Sequence, residues 1–389
     1  MSQNRTRGLA ARKARIPNEL HTDWAVHPGV ILKRHMQEHG IRQAELAERT
    51  GLTAKHVNQI VKEAIGLTPD VAVLLETALG TPHRFWSQVG ADWDMHTSER
   101  KAAVSLQEAA TWAEGFDLSI LLQSGVVYST DSTAERARKL LQFFGVASPA
   151  AFEATWLRPR VSFKRSQAYT VHGQNTALWL RLVERSAEEL DVHAEYKTAK
   201  LRKAAAKIPA FTTMPFATGF EAAQAALAEA GVALVFVRQV PETRVCAATW
   251  WVGDRPAIGI TERHRRPDIF WFSLLHEIGH LLLHPKRTTF LDLEMDKSET
   301  AEAEKDEEVE ANDYAANVLF PKSARLRIAG AKTKQDLMFL AAELHLSVAI
   351  VAGQHGHLTS DWRTGGSLRT PFSDAELVKL EALSTAPDH

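Results

Sequence analysis

The chain has 389 residues, enough for two or three domains of about 100–200 residues each. Its hydrophobic fraction of 45%, charged fraction of 24% and net charge of −1 are those of an ordinary soluble globular protein, and no apolar run reaches the ~18 residues a membrane helix needs. A single cysteine, Cys246, excludes an internal disulfide framework and thiolate zinc sites, and with no signal core after the basic start the expectation is a cytoplasmic protein whose metals, if any, use His and carboxylate.

The near-zero charge hides an asymmetry. Residues 1–66 carry eleven Lys/Arg against six Asp/Glu, a net of about +5, which points to nucleic acid. The arm 1–22 holds Arg5, Arg7, Arg12, Lys13 and Arg15. A helix then starts at His27-Pro28-Gly29, with Pro in the first turn and Gly40 closing it. The stretch 41–53 predicts a short helix packed through Ala44, Leu46 and Ala47, a tight turn at Gly51, and an N-cap at Thr53. A second helix follows over 54–61, with Val57 and Ile60 inward. Helix, Gly turn, helix is the helix-turn-helix pattern. The outer face of the second helix carries Lys55, Asn58, Gln59 and Lys62, which suit base edges and phosphates. Gln43 is placed to touch a phosphate, and with Thr53 these residues make the expected DNA-binding set.

Residues 27–95 resemble the HigA-like antitoxin branch of the XRE-type helix-turn-helix family. The residues that carry this are His27-Pro28-Gly29, Leu79-Gly80-Thr81-Pro82, Phe85-Trp86-Ser87-Gln88 and Asp92-Trp93-Asp94. The resemblance implies a homodimer on a palindromic double-stranded DNA operator, and a toxin partner. One departure is Lys62-Glu63-Ala64-Ile65-Gly66, where relatives carry a Gly-basic turn.

Residues 98–206 read as a helical connecting region, with amphipathic stretches at 134–144, 150–156 and 176–187. Phe163-Lys164-Arg165-Ser166 and Trp179-Leu180-Arg181 stand out, and the region reads mainly as a packing scaffold. No phosphate-binding or dinucleotide fingerprint occurs. Further on, a helix over 219–230 ends at Gly231. Strands follow at 232–237, 247–252 and 257–261, the last two joined by a turn at Gly253-Asp254-Arg255-Pro256. The strand at 257–261 is expected to pair with an extended peptide.

The segment His276-Glu277-Ile278-Gly279-His280 sits within an apolar helix opened by Pro267 and stopped by Pro285. Residues four apart share a helix face, so His276 and His280 can hold one Zn²⁺ while Glu277 takes a proton from a water on it. A catalytic zinc needs a third protein ligand. The acidic block 291–313, with eleven acidic residues against Lys297 and Lys305, reads as a solvated loop and helix start. It runs into a helix over 306–320 whose inward stripe is Ala311, Ala315, Val318 and Leu319. Glu308 lies on that stripe and is the expected third ligand, with Glu310 as the fallback. Asn312 is a candidate brace for a metal-binding His. His284 has turned ~80° from His276 at 100° per residue and reads as solvent-facing or capping. Arg263 and His264 are the candidates for a second electrophile, and His355 and His357 read as structural or exposed.

Residues 207–355 resemble the ImmA/IrrE metallopeptidases. The match rests on Gly231-Val232-Ala233, on Pro256-Ala257-Ile258-Gly259-Ile260 and on the stretch from Phe270 to His280. It extends to Glu308-x-x-Ala311-Asn312-x-x-Ala315 and Leu319-Phe320-Pro321. The resemblance implies a gluzincin-like fold and cleavage of helix-turn-helix repressors. Tyr314 departs from the usual Phe, and the acidic segment is longer than in relatives.

The expected architecture is multidomain α+β. Its parts are a basic arm 1–22, an all-α helix-turn-helix domain 23–97, a helical connection 98–206, and a zincin-like metallopeptidase domain 207–389 with a small sheet. The expected function is a nucleoid-associated DNA-binding regulator with a zinc endopeptidase, with Glu277 catalytic and His276, His280 and Glu308 on the metal. It would act on a helix-turn-helix repressor or on itself. The alternative is a HigA-like antitoxin and repressor whose zinc domain is a sensor or scaffold.

Overall fold

A computed structural model describes residues 25–157, 167–284, 290–293 and 302–385. The basic arm 1–22, the 163–166 motif, Pro285 and the acidic residues 294–301 lie outside it. The chain forms two compact units, Met1–Ser105 and Leu106–His389.

The first unit is helical. Helices Pro28–Glu38, Gln43–Thr50, Ala54–Val61 and Pro69–Leu79 are followed by His83–Glu108. Leu32, Leu46, Val57, Ile60, Leu75 and Trp86 form its core. The chain punctuation has physical reasons. Gly51 ends the second helix at φ 72, a left-handed conformation that glycine adopts without a Cβ clash. Thr53 caps the third helix by accepting from the His56 N–H. At Gly29 a Cβ would lie 1.9 Å from the Ile60 carbonyl oxygen, so the first helix can reach the third only if residue 29 has no side chain. His27 locks that start by accepting the Gly29 N–H on Nδ1 at 2.9 Å.

The second unit is built on a four-stranded mixed sheet: β1 Ala233–Phe236, β2 Val245–Val252, β3 Arg255–Ile260 and β4 Phe290–Leu293. The strand order is β1-β3-β2-β4, with β1 and β3 parallel and the other neighbours antiparallel. β2 and β3 make a hairpin whose Val252 faces Arg255, with Gly253 in the turn at φ 62. Alternation sorts side chains to the two faces. Ala233, Val235, Ala248 and Trp250 share a buried cluster with Trp179, Val183 and Ala187 of the helix Gln167–Glu189. Leu234, Ala247, Ile258 and Ile260 share the other cluster with Leu274, Leu275 and Ile278 of the helix Pro267–Leu283. The sheet is therefore sandwiched between helices, buried on both faces as its apolar strands require.

Residues 98–206 do not run as a bare link in their described part, since everything from Leu106 belongs to the sheet-containing unit. Trp179 donates its indole N–H to the Val237 carbonyl, and Arg181 donates Nε–H to the Phe143 carbonyl at 2.8 Å. Gly259 of β3 faces Val183 so closely that a Cβ would come within 2.6 Å of it. The expectation that β3 pairs with a peptide is overturned. Both of its edges are taken, by β1 and by β2, so its backbone has no free ladder to offer.

Candidate metal centre and nucleic-acid face

The motif helix Pro267–Leu283 opens with Pro in its first turn and is buried along most of its length. His276 and His280 project from one face, four residues apart, and are 3% and 1% exposed. The helix Glu302–Leu319 crosses this face where both partners are small. A Cβ on Gly279 would sit 3.2 Å from Ala311 Cα, so glycine permits the close approach. That approach carries Glu308 to the histidines. Its Oε2 lies 3.1 Å from His276 Nε2 and its Oε1 3.4 Å from His280 Nε2, while the two Nε2 atoms are 2.9 Å apart. One donor atom from each of the three residues lies within 4.8 Å of the others.

These separations fit one small cation. Bonds of ~2.05 Å at a tetrahedral angle put ligand atoms about 3.3 Å apart. The donor chemistry fits as well. Burial pushes the His280 imidazole down to about 4 against the pull of Glu308, so it is neutral near pH 7 and keeps a lone pair. Burial pushes the Glu308 carboxyl up, but hydrogen bonds from His276 and His280 outweigh it and hold the group at about 2, as a carboxylate. The His276 Nδ1–H donates to Asn312 Oδ1 at 3.1 Å, which turns Nε2 toward the centre. Asn312 thus holds the His276 ring at Nδ1.

Glu277, next in sequence to His276, meets the sheet. It is fully buried, and its Oε2 accepts the hydroxyl of Thr249 from β2 at 2.5 Å. A cavity of about 480 Å³ lies on the far side of Asn312, lined by Phe272, Ser273, Leu319, Ile350 and Trp362 but by none of the three donor residues.

Other candidates are placed elsewhere. Glu310 faces His284 at 3.3 Å rather than the three-residue cluster, so the fallback ligand has a different neighbour. Arg263 and His264 lie in the short turn before the motif helix, and Arg263 donates to the Thr243 carbonyl at 3.3 Å. His355 is buried and its Nε2 lies 3.2 Å from the Ala331 carbonyl, a structural role, while His357 is exposed. The expectation of a solvent-facing His284 is corrected. The helix ends at Leu283 and His284 takes extended backbone angles, φ −106 and ψ 165, so the 100° progression no longer applies. Its backbone N–H caps His280, as expected, but its side chain is only 3% exposed and folds back onto the His280 ring.

In the helical unit, Lys55 and Lys62 are exposed on or just after the third helix, and Asn58 and Gln59 are half-buried. Asn58 Nδ2 donates to Gln43 Oε1 at 2.9 Å, which ties the start of the second helix to the middle of the third. Thr53 is the cap described above. Glu63, at the departure from the Gly-basic turn, holds a left-handed φ of 60.

Residues 230–353 match the IrrE N-terminal-like domain of the M78 peptidases, a span that contains His276, His280 and Glu308. Residues 32–86 match the helix-turn-helix family. The chain joins a helix-turn-helix domain to an IrrE-like domain. Virulence-associated protein I of Dichelobacter nodosus is 29% identical over 77 residues, which cover 20% of this chain and 71% of that protein. No solved structure matches. The chain is thus a DNA-binding protein with a metallopeptidase-type domain.

Within the IrrE-like domain, sequence reasoning missed Thr249 and the inward turn of His284. For Thr249 a signal existed: a lone hydroxyl among apolar residues on a strand buried on both faces needs a polar partner. For His284 there was none, because its contact depends on the backbone leaving the helix.

Proposed function

We propose that this chain is a transcriptional regulator whose IrrE-like domain is a zinc endopeptidase acting on a repressor-type protein or on the chain itself. The observation that carries the reading is the convergence of three donor residues, His276, His280 and Glu308, with a buried carboxylate, Glu277, next in sequence to the first. Zinc held by the three would polarise the scissile carbonyl and acidify an attacking water. Glu277 accepts that water's proton and returns it to the leaving nitrogen. Thr249 fixes the carboxylate toward β2 by its hydrogen bond. Among the described residues β4 is an outer strand, next to the strand that carries Thr249, and on this reading an extended substrate would pair there.

On this reading residues 23–97 bind operator DNA as a homodimer in the cytoplasm. Gln43 and Asn58 act as a linked pair, and Lys55, Gln59 and Lys62 meet base edges and phosphates. Residues from Leu106 to 206 brace the sheet of the unit in which 207–389 cut. A toxin partner remains compatible with the HigA-like resemblance.

The test is incubation with a candidate helix-turn-helix repressor, or of the chain alone, with zinc and with a chelator, read as fragments on a gel. Fragments are expected with zinc and not with chelator, and Glu277→Gln should abolish them while still binding zinc. Fragments that persist undiminished in zinc-loaded Glu277→Gln would overturn the mechanism. DNA binding with zinc uptake but no cleavage of any candidate would leave the sensor or scaffold reading in its place.

A further inference from the structure

Beyond the three donors, two further residues line up behind one of them. His280 Nδ1 lies 2.9 Å from His284 Nδ1, and His284 Nε2 lies 3.3 Å from Glu310 Oε2. The His280 and His284 rings are 4.9 Å apart at 51°. The His284 side chain is 3% exposed, while Glu310 is largely in solvent.

The protons in this row have one consistent arrangement. To offer a lone pair to a cation from Nε2, His280 must carry its proton on Nδ1. That proton needs an acceptor, and His284 Nδ1 is at hydrogen-bond distance. His284 can accept there only if its own proton is on Nε2. Nε2 faces a carboxylate, which when ionised only accepts. In this arrangement each N–H in the row has an acceptor. His276 achieves the same end more simply, by donating Nδ1–H to Asn312.

We propose that His284 is a positioning residue of the metal centre, which sets the tautomer and ring orientation of His280 as Asn312 does for His276, with Glu310 steadying His284 from the surface. The inference rests on the metal-centre reading above and deepens it. It also accounts for the acidic residue at 310: Glu308 serves the cation directly and Glu310 serves it at two removes.

The experiment is zinc affinity, measured by competition with a chromophoric chelator, on the full chain. His284→Phe keeps the bulk and removes the acceptor. It should weaken zinc binding by about 10–100-fold, the usual cost of losing a partner of this kind. His284→Asn, which puts an oxygen near the Nδ1 position, should recover most of the loss. Glu310→Gln should cost less than His284→Phe. Thermal melts of the metal-free variants report folding separately. Equal affinity in wild type and in a folded His284→Phe overturns the proposal, and so does a His284→Asn variant that melts like wild type but binds zinc as poorly as His284→Phe. If His284→Phe does not fold, the His284→Asn and Glu310→Gln affinities decide: near-wild-type binding in the first and a modest loss in the second are expected, and the reverse order overturns it. The His276→Ala variant keeps the two ideas apart. If it binds zinc as well as wild type, the metal-centre reading itself has failed.

Discussion

The helix-turn-helix unit and the IrrE-like unit organise their candidate residues in opposite ways. In the first, the proposed DNA contacts fall within twenty residues, from Gln43 to Lys62, half-buried or exposed on two short helices and their ends. In the second, the cluster draws on a strand, a helix and a second helix, from Thr249 to Asn312, and is mostly buried. Local order therefore suffices for the first, and tertiary packing makes the second. A small change in helix spacing should damage both, but through different readouts.

The largest effect is expected at Gly29. Gly29→Ala drives a methyl into the Ile60 carbonyl and pushes the first helix off the third. Overpacking of this kind costs about 1–3 kcal/mol and occasionally more. Thermal melts and operator binding should both suffer while zinc uptake holds. Loss of zinc uptake as well would break the separation of the two units.

Thr249→Val comes next. It removes a hydrogen bond to a buried carboxylate, worth about 1.5–3 kcal/mol. The expected result is lower stability, and slower cleavage with zinc still bound. Restoration by Thr249→Ser would show that the hydroxyl matters and not the methyl. A variant as stable as wild type would mean that Glu277 is held from elsewhere.

Acidification should sharpen the contrast. In the metal-free chain His280 titrates at about 4, below its ordinary 6.5, because burial disfavours its cation. Between those values the unfolded chain takes up the proton and the folded one resists it. The stabilisation is full above about pH 6.5 and is lost as pH falls toward 4. Glu308, held near 2 by the histidines, adds a further loss from about 4.5 downward. Urea midpoints of residues 106–389, followed within the full chain by hydrogen exchange, should fall across this window. A flat response would contradict the buried neutral imidazole.

The smallest effect is a gain. Glu63 holds a left-handed backbone that costs a side-chain residue about 1–2 kcal/mol, so Glu63→Gly should raise the stability of the helical unit by up to about 1 kcal/mol. An unchanged or lower melting temperature would show that the Glu63 side chain compensates.

What could be read in advance follows the same division. Helix starts and stops such as Pro28, Gly51, Thr53 and Pro267, and the hairpin turn at Gly253, were legible because caps and turns depend on neighbours in sequence. The inward stripe of Ala311 and Ala315 pointed to Glu308 for the same reason. The partners of β3 were not legible, since a strand order of β1-β3-β2-β4 is set by packing and puts a strand presumed accessible in the middle. Thr249 and His284 reach the centre through contacts 28 residues apart in one case and through a helix end in the other. The stretch around Trp179 and Val183 read as a packing scaffold, but that it packs on the sheet was hidden, because that partner lies about 60 residues away.

The central claim is that His276, His280 and Glu308 form one zinc site. The most direct measurement is the zinc content and affinity of the purified chain beside Glu308→Ala and Glu310→Ala. Stoichiometric zinc in wild type, near-complete loss in Glu308→Ala and retention with at most modest weakening in Glu310→Ala is the predicted result. Zinc retained in Glu308→Ala and lost in Glu310→Ala would contradict it.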